Sequence, residues 1–286
     1  MTILEKKLIA VIGSGNMAGA MIGALLRKNE VKPDQITASD PDPEQRALVK
    51  EKYGIQVTAE NQRVVKDAAI IILAVKPQVL PDVFQDLKGK IPPHSLVFSI
   101  VAGMPIPAIQ NGLGHQSVIR SMPNTPAQIS AGMTVWTDSS SVTETQRQEA
   151  RTILEAMGKQ LYVEKEDALN MATAVSGTGP TYVFLLAEAL VDAAVHLGFS
   201  RRDARMIVLE TLKGSVKFAQ KSELHLAQLR NMVTSPGGTS AEAIYQLEKG
   251  GMRTILSKAV WAAYQKSQLL GRKAEQPPDA PLRVED

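Results

Sequence analysis

Leu8-Ile9-Ala10-Val11-Ile12-Gly13-Ser14-Gly15-Asn16-Met17-Ala18-Gly19-Ala20-Met21-Ile22-Gly23-Ala24-Leu25-Leu26 is the stretch from which the fold can be read. Its first five residues are all apolar, the pattern of a strand buried on both faces. The run breaks at Gly13-Ser14-Gly15, after which small and apolar residues recur at helical spacing through Met21, Ile22, Leu25 and Leu26. Strand, glycine turn and helix in that order give a G-x-G-x-x-A match its physical meaning. Gly13 permits the tight turn, Gly15 lets a pyrophosphate approach the backbone, and Ala18 keeps the helix close to the strand. The anion then rests on the N–H groups that open the helix. A flexible loop is the competing reading of the glycines, but it would not need both flanks. The stretch predicts an α/β dinucleotide-binding domain.

Composition sets the outer bounds. At 286 residues the chain is long enough for two domains and a sizeable core. Hydrophobic residues make up 44% and charged residues 21%, which is ordinary for a soluble globular protein. The net charge of +3 comes without a dense Lys/Arg tract, so nucleic acid is not favoured. With no cysteine there can be no disulfide, thiolate metal site or cysteine nucleophile. The start, MTILEKKLIAVIG, lacks the shape of a signal peptide, and no uninterrupted apolar span of membrane length is present. A cytoplasmic location is expected.

Taken in order, Pro33-Asp34 marks a turn and Ile36 to Ser39 a short strand. Asp40 follows, about 20 residues beyond Gly19, where such a fold places the carboxylate that holds a ribose. It reads equally as a turn acid in Asp40-Pro41-Asp42-Pro43-Glu44, in which Asp42 caps a helix with proline at its first position. That helix ends at Gly54, Ile55 to Val57 is a strand, and Glu60-Asn61 opens a short helix. Ala69 to Val75 is a second buried strand running into Lys76-Pro77-Gln78; Lys76 is either a polar group at the ligand edge or a solvated lysine. Pro92-Pro93 is expected to break the next helix. Leu96 to Ile100 is a strand passing into Val101-Ala102-Gly103, small residues suited to a flat ring or simply to a turn. Ser117 to Arg120, Gly132 to Trp136 and residues 159–163 add strands, and Thr143 with Gln146 fits a capping box.

From Asp167 the sequence predicts only helices, over about 167–175, 180–197, 201–220, 223–230, 240–249 and 252–271. Ser200 and Asp203 read as a cap, and Gly198 and Gly250 as left-handed C-terminal positions. Helix 180–197 is apolar round most of its circumference, through Val183, Phe184, Leu185, Leu186, Leu190, Val191, Val195 and Leu197. Helices that are apolar all round are buried from several sides, and one chain offers too few neighbours, so a dimer is expected. The division is 1–165 for the α/β domain, 166–272 for a helical domain, and 273–286 for a disordered tail rich in proline and charge.

Two glycine-rich joints interrupt the helices. Ser176-Gly177-Thr178-Gly179-Pro180 places Pro180 at a helix start. Thr234-Ser235-Pro236-Gly237-Gly238-Thr239-Ser240 runs into a helix whose first N–H groups, with the hydroxyls of Ser235, Thr239 and Ser240, make a site for a small carboxylate. The competing reading is a capped helix, Thr239 pairing with Glu242. His94, His115, His196 and His225 are scattered without metal-ligand spacing, so no metal is expected. The absence of a nucleophile–base arrangement fits hydride transfer, in which the cofactor carries the chemistry.

Leu73-Ala74-Val75-Lys76-Pro77-Gln78, Arg120-Ser121-Met122-Pro123-Asn124-Thr125-Pro126, Ala174-Val175-Ser176-Gly177-Thr178-Gly179-Pro180 and Val233-Thr234-Ser235-Pro236-Gly237-Gly238-Thr239-Ser240 together resemble pyrroline-5-carboxylate reductase, from about Lys7 to Leu270. The resemblance implies a Rossmann domain followed by an all-α dimerisation domain that interlocks with a partner's, as a dimer or a ring of dimers. It implies reduction of 1-pyrroline-5-carboxylate to L-proline with NADPH or NADH. Carried over by position, Ile12, Gly13, Ser14, Gly15, Asn16 and Met17 would hold the pyrophosphate, and Asp40 and Asn61 the adenosine end. Ala74, Val75, Lys76, Pro77, Ile100, Val101 and Ala102 would line the route to the nicotinamide. Ser235, Gly237, Gly238, Thr239 and Ser240 would bind the substrate, with Thr239 and Ser240 closest to the chemistry. Ser240 stands where the family often has threonine, and His225-Leu226 where it often has His-Pro. Ser39-Asp40 places an acid where NADPH users offer neutral or basic groups, so Asp40 leans toward NADH. Alternatives are a reductase of another cyclic imine amino acid, a 3-hydroxyacid or 6-phosphogluconate-type dehydrogenase, and a nucleotide sensor without catalysis. The second would want a catalytic lysine, and Lys213 and Lys217 lack the glycine and asparagine setting for one.

Overall fold

In the computed structural model, residues 2–275 are described. The first half alternates strand and helix: β1 (Ile9–Ile12), α1 (Asn16–Arg27), β2 (Ile36–Ser39), α2 (Pro43–Tyr53), β3 (Gln56–Thr58), α3 (Asn61–Val65), β4 (Ile70–Leu73), α4 (Leu80–Leu87), β5 (Leu96–Ser99), α5 (Ile106–Leu113), β6 (Val118–Met122), β7 (Gly132–Asp138), α6 (Glu144–Met157) and β8 (Gly158–Tyr162). Helices follow: α7 (Ala168–Ala172), α8 (Gly179–His196), α9 (Arg201–Lys221), α10 (Leu226–Met232), α11 (Thr239–Lys249) and α12 (Met252–Glu275). Two compact units result, one reaching Thr178 and resuming at Ala263, the other Gly179–Ala262. The expected disordered tail falls largely outside the described residues, although α12 continues the chain as helix through Glu275.

The first unit is a single eight-stranded sheet in the order β3-β2-β1-β4-β5-β6-β7-β8. Its strands are parallel except where β7 runs against β6. Continuous apolar runs in β1, β4 and β5 have the physical cause expected, a core on each face of the sheet. Ile9, Val11, Ile70, Ile72, Leu96 and Phe98 point to one core with residues of α1 and α6. Ala10, Ile12, Ile71, Leu73 and Val97 point to the other, with residues of α3, α4 and α5. Asp42 caps α2 by accepting the Glu44 N–H at 2.9 Å, and Gly54 closes that helix at φ 68°. The box of Thr143 with Gln146 opens α6.

Several expectations need correction. α4 stops at Leu87, before Pro92, because Gly89 at φ 71° turns the chain first. α5, with prolines at 105 and 107, is an element the sequence reading did not contain. Gly250 has helical φ −72°, and Gly251 takes the left-handed turn at φ 70°. The joint at Ser176 to Gly179 is not a loop: residues 173–177 form a π-turn in which the Thr178 N–H donates to Thr173 O at 2.8 Å.

His115 is a buried histidine with a structural task. Its Nε2 lies 2.8 Å from Ser95 O, which can only accept, so Nε2 carries the proton. Burial holds its pKa below the ordinary 6.5. Below pH 6.5 the unfolded chain therefore binds a proton that the folded chain resists, and stability falls as pH drops through that value. In His115→Gln the loss of Tm between pH 7.5 and 5.5 should be smaller than in the wild type. Equal losses in thermal melts would mean that His115 does not titrate differently on folding.

The second unit leaves its apolar surface uncovered. In α8 only Ala187 is buried, while Phe184, Leu185 and Leu190 are exposed. Met206, Val216 and Phe218 of α9, which packs on α8, are exposed as well. The helical run 168–196 is long and apolar enough to cross a membrane by length and composition, which the expectation of no membrane-length span did not anticipate. An apolar face of this extent marks a surface that another body covers.

Candidate functional site

The carboxyl ends of β1, β2 and β4 converge on a cavity of about 580 Å³. It is lined by Gly13, Gly15, Asp40, Asn61, Ala74, Val75 and Lys76, all picked out in the sequence, and by Ser39, Asp82 and Asp86, which were not. Gly13 is required twice over. Its φ is 86°, and a Cβ there would lie 2.8 Å from Val75 Cγ1 and 3.0 Å from Ala74 O. Gly15 differs: nothing lies within 4 Å of a Cβ built on it, so its side faces open space, room for a phosphate. No side chain caps α1, whose N-cap is the cavity-lining Gly15; Asn16 and Met17, which follow it, are outside the lining itself. Ala18 is buried against the sheet.

Asp40 is not the helix cap; Asp42 is. The Asp40 carboxylate folds onto the glycine loop, where Oδ2 accepts from Ser14 N at 2.8 Å and Ser14 Oγ at 3.1 Å, and Oδ1 accepts from Asp42 N at 3.0 Å. A carboxylate has about four acceptor positions, so Oδ1 keeps one toward the cavity. Gln45 Nε2 also donates to Ser14 O, fixing the loop from the other side. Asn61 is held by both ends of its amide: Oδ1 accepts from Ser39 Oγ at 2.7 Å and Nδ2 donates to Asp86 at 3.0 Å. Lys76 is exposed at the cavity edge, and Pro77 starts a short 3₁₀ turn after it. Ile12 and Ser14 are buried beneath the rim. Ile100, Val101 and Ala102 lie at the carboxyl end of β5, the next strand across, outside the cavity lining.

The Ser235 to Ser240 segment belongs to the second unit. The Gly238 N–H donates to Ser235 O at 3.0 Å, closing a turn with Gly237 at φ 69°. A Cβ on Gly238 would meet Ser235 Oγ at 2.5 Å, so a side chain there would displace the Ser235 hydroxyl. Gly238, not Thr239, is the N-cap of α11, and no side chain caps the helix. The capping box of Thr239 with Glu242 is therefore not formed, and the first N–H groups and the hydroxyls of Thr239 and Ser240 are left for another acceptor. His225 caps α10, its Nδ1 accepting from Ala227 N at 3.2 Å. Among the described residues no cluster of three or more His, Cys, Asp or Glu is placed to hold a metal.

Residues 166–270 match the family model for pyrroline-5-carboxylate reductase dimerisation, and residues 8–103 that for coenzyme F420-dependent NADP oxidoreductases. The chain is 40% identical to pyrroline-5-carboxylate reductase of Pseudomonas aeruginosa, covering 94% of this chain and 98% of that one. It is 36% identical to the enzyme of Escherichia coli, covering 94% and 100%. Among solved structures, the NADP-bound pyrroline carboxylate reductase of Plasmodium falciparum superposes with a TM-score of 0.87 at 30% identity, covering 93% and 99%. With an α/β nucleotide unit ahead of a helical one and motifs matching across both, the chain belongs to the pyrroline-5-carboxylate reductase family.

Proposed function

We propose that this protein reduces 1-pyrroline-5-carboxylate to L-proline with NADPH or NADH, the last step of proline synthesis. The observation that carries the reading is the uncapped start of α11 behind Ser235-Pro236-Gly237-Gly238, in a chain 40% identical to a named reductase over nearly its whole length. The nucleotide cleft fits the cofactor: open space at Gly15, an uncapped helix above it and one acceptor position on Asp40. When bound, the nicotinamide supplies the hydride that reduces the C=N bond. Ile12 to Met17 hold the pyrophosphate, Asp40 and Asn61 the adenosine end, and Ala74 to Pro77 with Ile100 to Ala102 the route to the nicotinamide. Ser235, Gly237, Gly238, Thr239 and Ser240 bind the substrate carboxylate and ring nitrogen. The division at 1–165 and 166–272 separates these two tasks. The chain works as a dimer, or a ring of dimers, in the cytoplasm; a second copy, not lipid, covers α8. Loss of nicotinamide absorbance with pyrroline-5-carboxylate, matched by proline formed, tests this. Turnover of a 3-hydroxyacid instead would overturn it.

Asp40 sets the balance between cofactors. Its charge beside the ribose repels a 2′-phosphate, so NADH is used at least as well as NADPH. Arg46, whose Nη1 donates to Asp40 O and Pro41 O, is a cation already at this turn. Asp40→Ser should raise the NADPH-to-NADH ratio of kcat/KM by about tenfold. The ratio is the readout because Ser14 also loses an acceptor, which weakens both cofactors alike. An unchanged ratio would show that Asp40 serves the loop alone.

A further inference from the structure

The first unit holds a second concentration of charge away from the nucleotide cleft. Arg120 stands on β6 between Ser99 of β5 and Thr137 of β7, and is 4% exposed. Its Nη1 donates to Glu166 Oε1 at 2.7 Å. The same oxygen accepts the N–H of Ile106, the first residue of α5, at 2.8 Å. The α5 N-cap is Pro105, which offers no side-chain acceptor, so a carboxylate from a distant part of the chain does the capping. Asn170, one turn beyond Glu166, accepts from Ser267 Oγ of α12 at 3.0 Å.

The other side of the same loop is held just as closely. Gly103 has φ 75°, and a Cβ on it would lie 2.8 Å from Leu270 Cβ and 3.1 Å from Gly271 N. Residues 100–105 therefore run between the end of α12 and the Glu166–Ile106 bond. Arg120 is buried and Glu166 half-buried, and such an ion pair is poor evidence for stability, since apolar replacements often serve as well. What this one supplies is a fixed point: the carboxylate determines where α5 begins, and so where the loop must end.

We propose that Glu166, aligned by Arg120, is a positioning residue for the cofactor, holding the loop that begins Ile100-Val101-Ala102 at the depth the nicotinamide ring requires. The inference rests on the placement of that loop beside the nicotinamide given under the proposed function. Glu166 itself touches neither cofactor nor substrate; it acts through α5.

The test uses the full-length enzyme and measures KM for NADPH, KM for pyrroline-5-carboxylate and kcat in three variants. Glu166→Ala should raise KM for NADPH by about tenfold and leave KM for pyrroline-5-carboxylate within about twofold. Glu166→Gln, whose amide oxygen still accepts from Ile106, should fall between Ala and wild type, and it retains the shape if the alanine variant does not fold. Ala102→Val reports on the loop directly and should raise KM for NADPH. A structural role alone would lower the active fraction, hence apparent kcat, without moving either KM; that result in both Glu166 variants overturns the proposal. If Ala102→Val leaves KM for NADPH unchanged, the loop is not at the nicotinamide and the proposal fails with it. If Ala102→Val raises it and neither Glu166 variant does, the loop assignment stands and the positioning role falls.

Discussion

Leu185→Asp is expected to sediment as a monomer at concentrations where the wild type is a dimer, and to lose pyrroline-5-carboxylate reduction with it. Leu185 lies on α8 and is 66% exposed in the single chain. A two-fold interface counts each substitution twice. Removing a buried leucine forfeits about 1.5–3 kcal/mol per side. A carboxylate left unpaired in an apolar interface adds a desolvation cost of a few kcal/mol. Together these should weaken association by at least about a thousandfold, since every 1.4 kcal/mol is a factor of ten. Obligate interfaces bury on the order of 2,000 Å² or more, and the exposed apolar residues of α8 and α9 supply the material for one. Leu185→Met, close in volume, should remain dimeric and active. A Leu185→Asp enzyme that stayed dimeric by sedimentation would show that this face is not the interface.

The nucleotide half was legible because its signals are local and agree with one another. Ile9 to Ile12, Ile70 to Leu73 and Leu96 to Ser99 are apolar without alternation, which only a strand covered on both faces explains. Gly13 had to be glycine for reasons visible in the motif. What the sequence hid was pairing at a distance. β6 and β7 run antiparallel, yet nothing in Val118 to Asp138 distinguishes a hairpin-like return from a crossover, because the linking 3₁₀ turn ends on Ser130 at φ 56° rather than glycine. The sequence left two readings of the start of α11 open because Thr239 and Glu242 have the spacing of a capping box; in the structure Gly238 takes the cap position, its N–H donating to Ser235 O. Asp82 and Asp86 enter the cavity only because α4 follows β4 over its rim. Glu166 was invisible for the same reason: its partners Arg120 and Ile106 are remote in the chain, and only the sheet brings them together.

Ser240→Ala is expected to lower kcat by about ten- to a hundredfold while raising KM for pyrroline-5-carboxylate far less, the equivalent of about 1.4–2.7 kcal/mol on the barrier. The substrate is a small ring with one carboxylate and one imine nitrogen, protonated when it accepts hydride at carbon. The backbone N–H groups of Thr239 and Ser240, at the uncapped start of α11, suit the carboxylate. That charge is the same before and after hydride transfer, so this binding is uniform along the reaction and weakening it raises KM. The ring nitrogen is different, because its charge and hydrogen bonding change as iminium becomes amine. In the proposed reaction the Ser240 hydroxyl senses the change; it stands at the second position of the helix, half-buried, with no hydrogen-bond partner among the described residues. No side chain need act as an obligate base, since solvent can protonate the imine before hydride moves. Ser240→Thr keeps the hydroxyl and should stay near wild type. If Ser240→Ala left kcat intact and weakened only substrate binding, the hydroxyl would be a carboxylate ligand, and the charge change at nitrogen would be met by water.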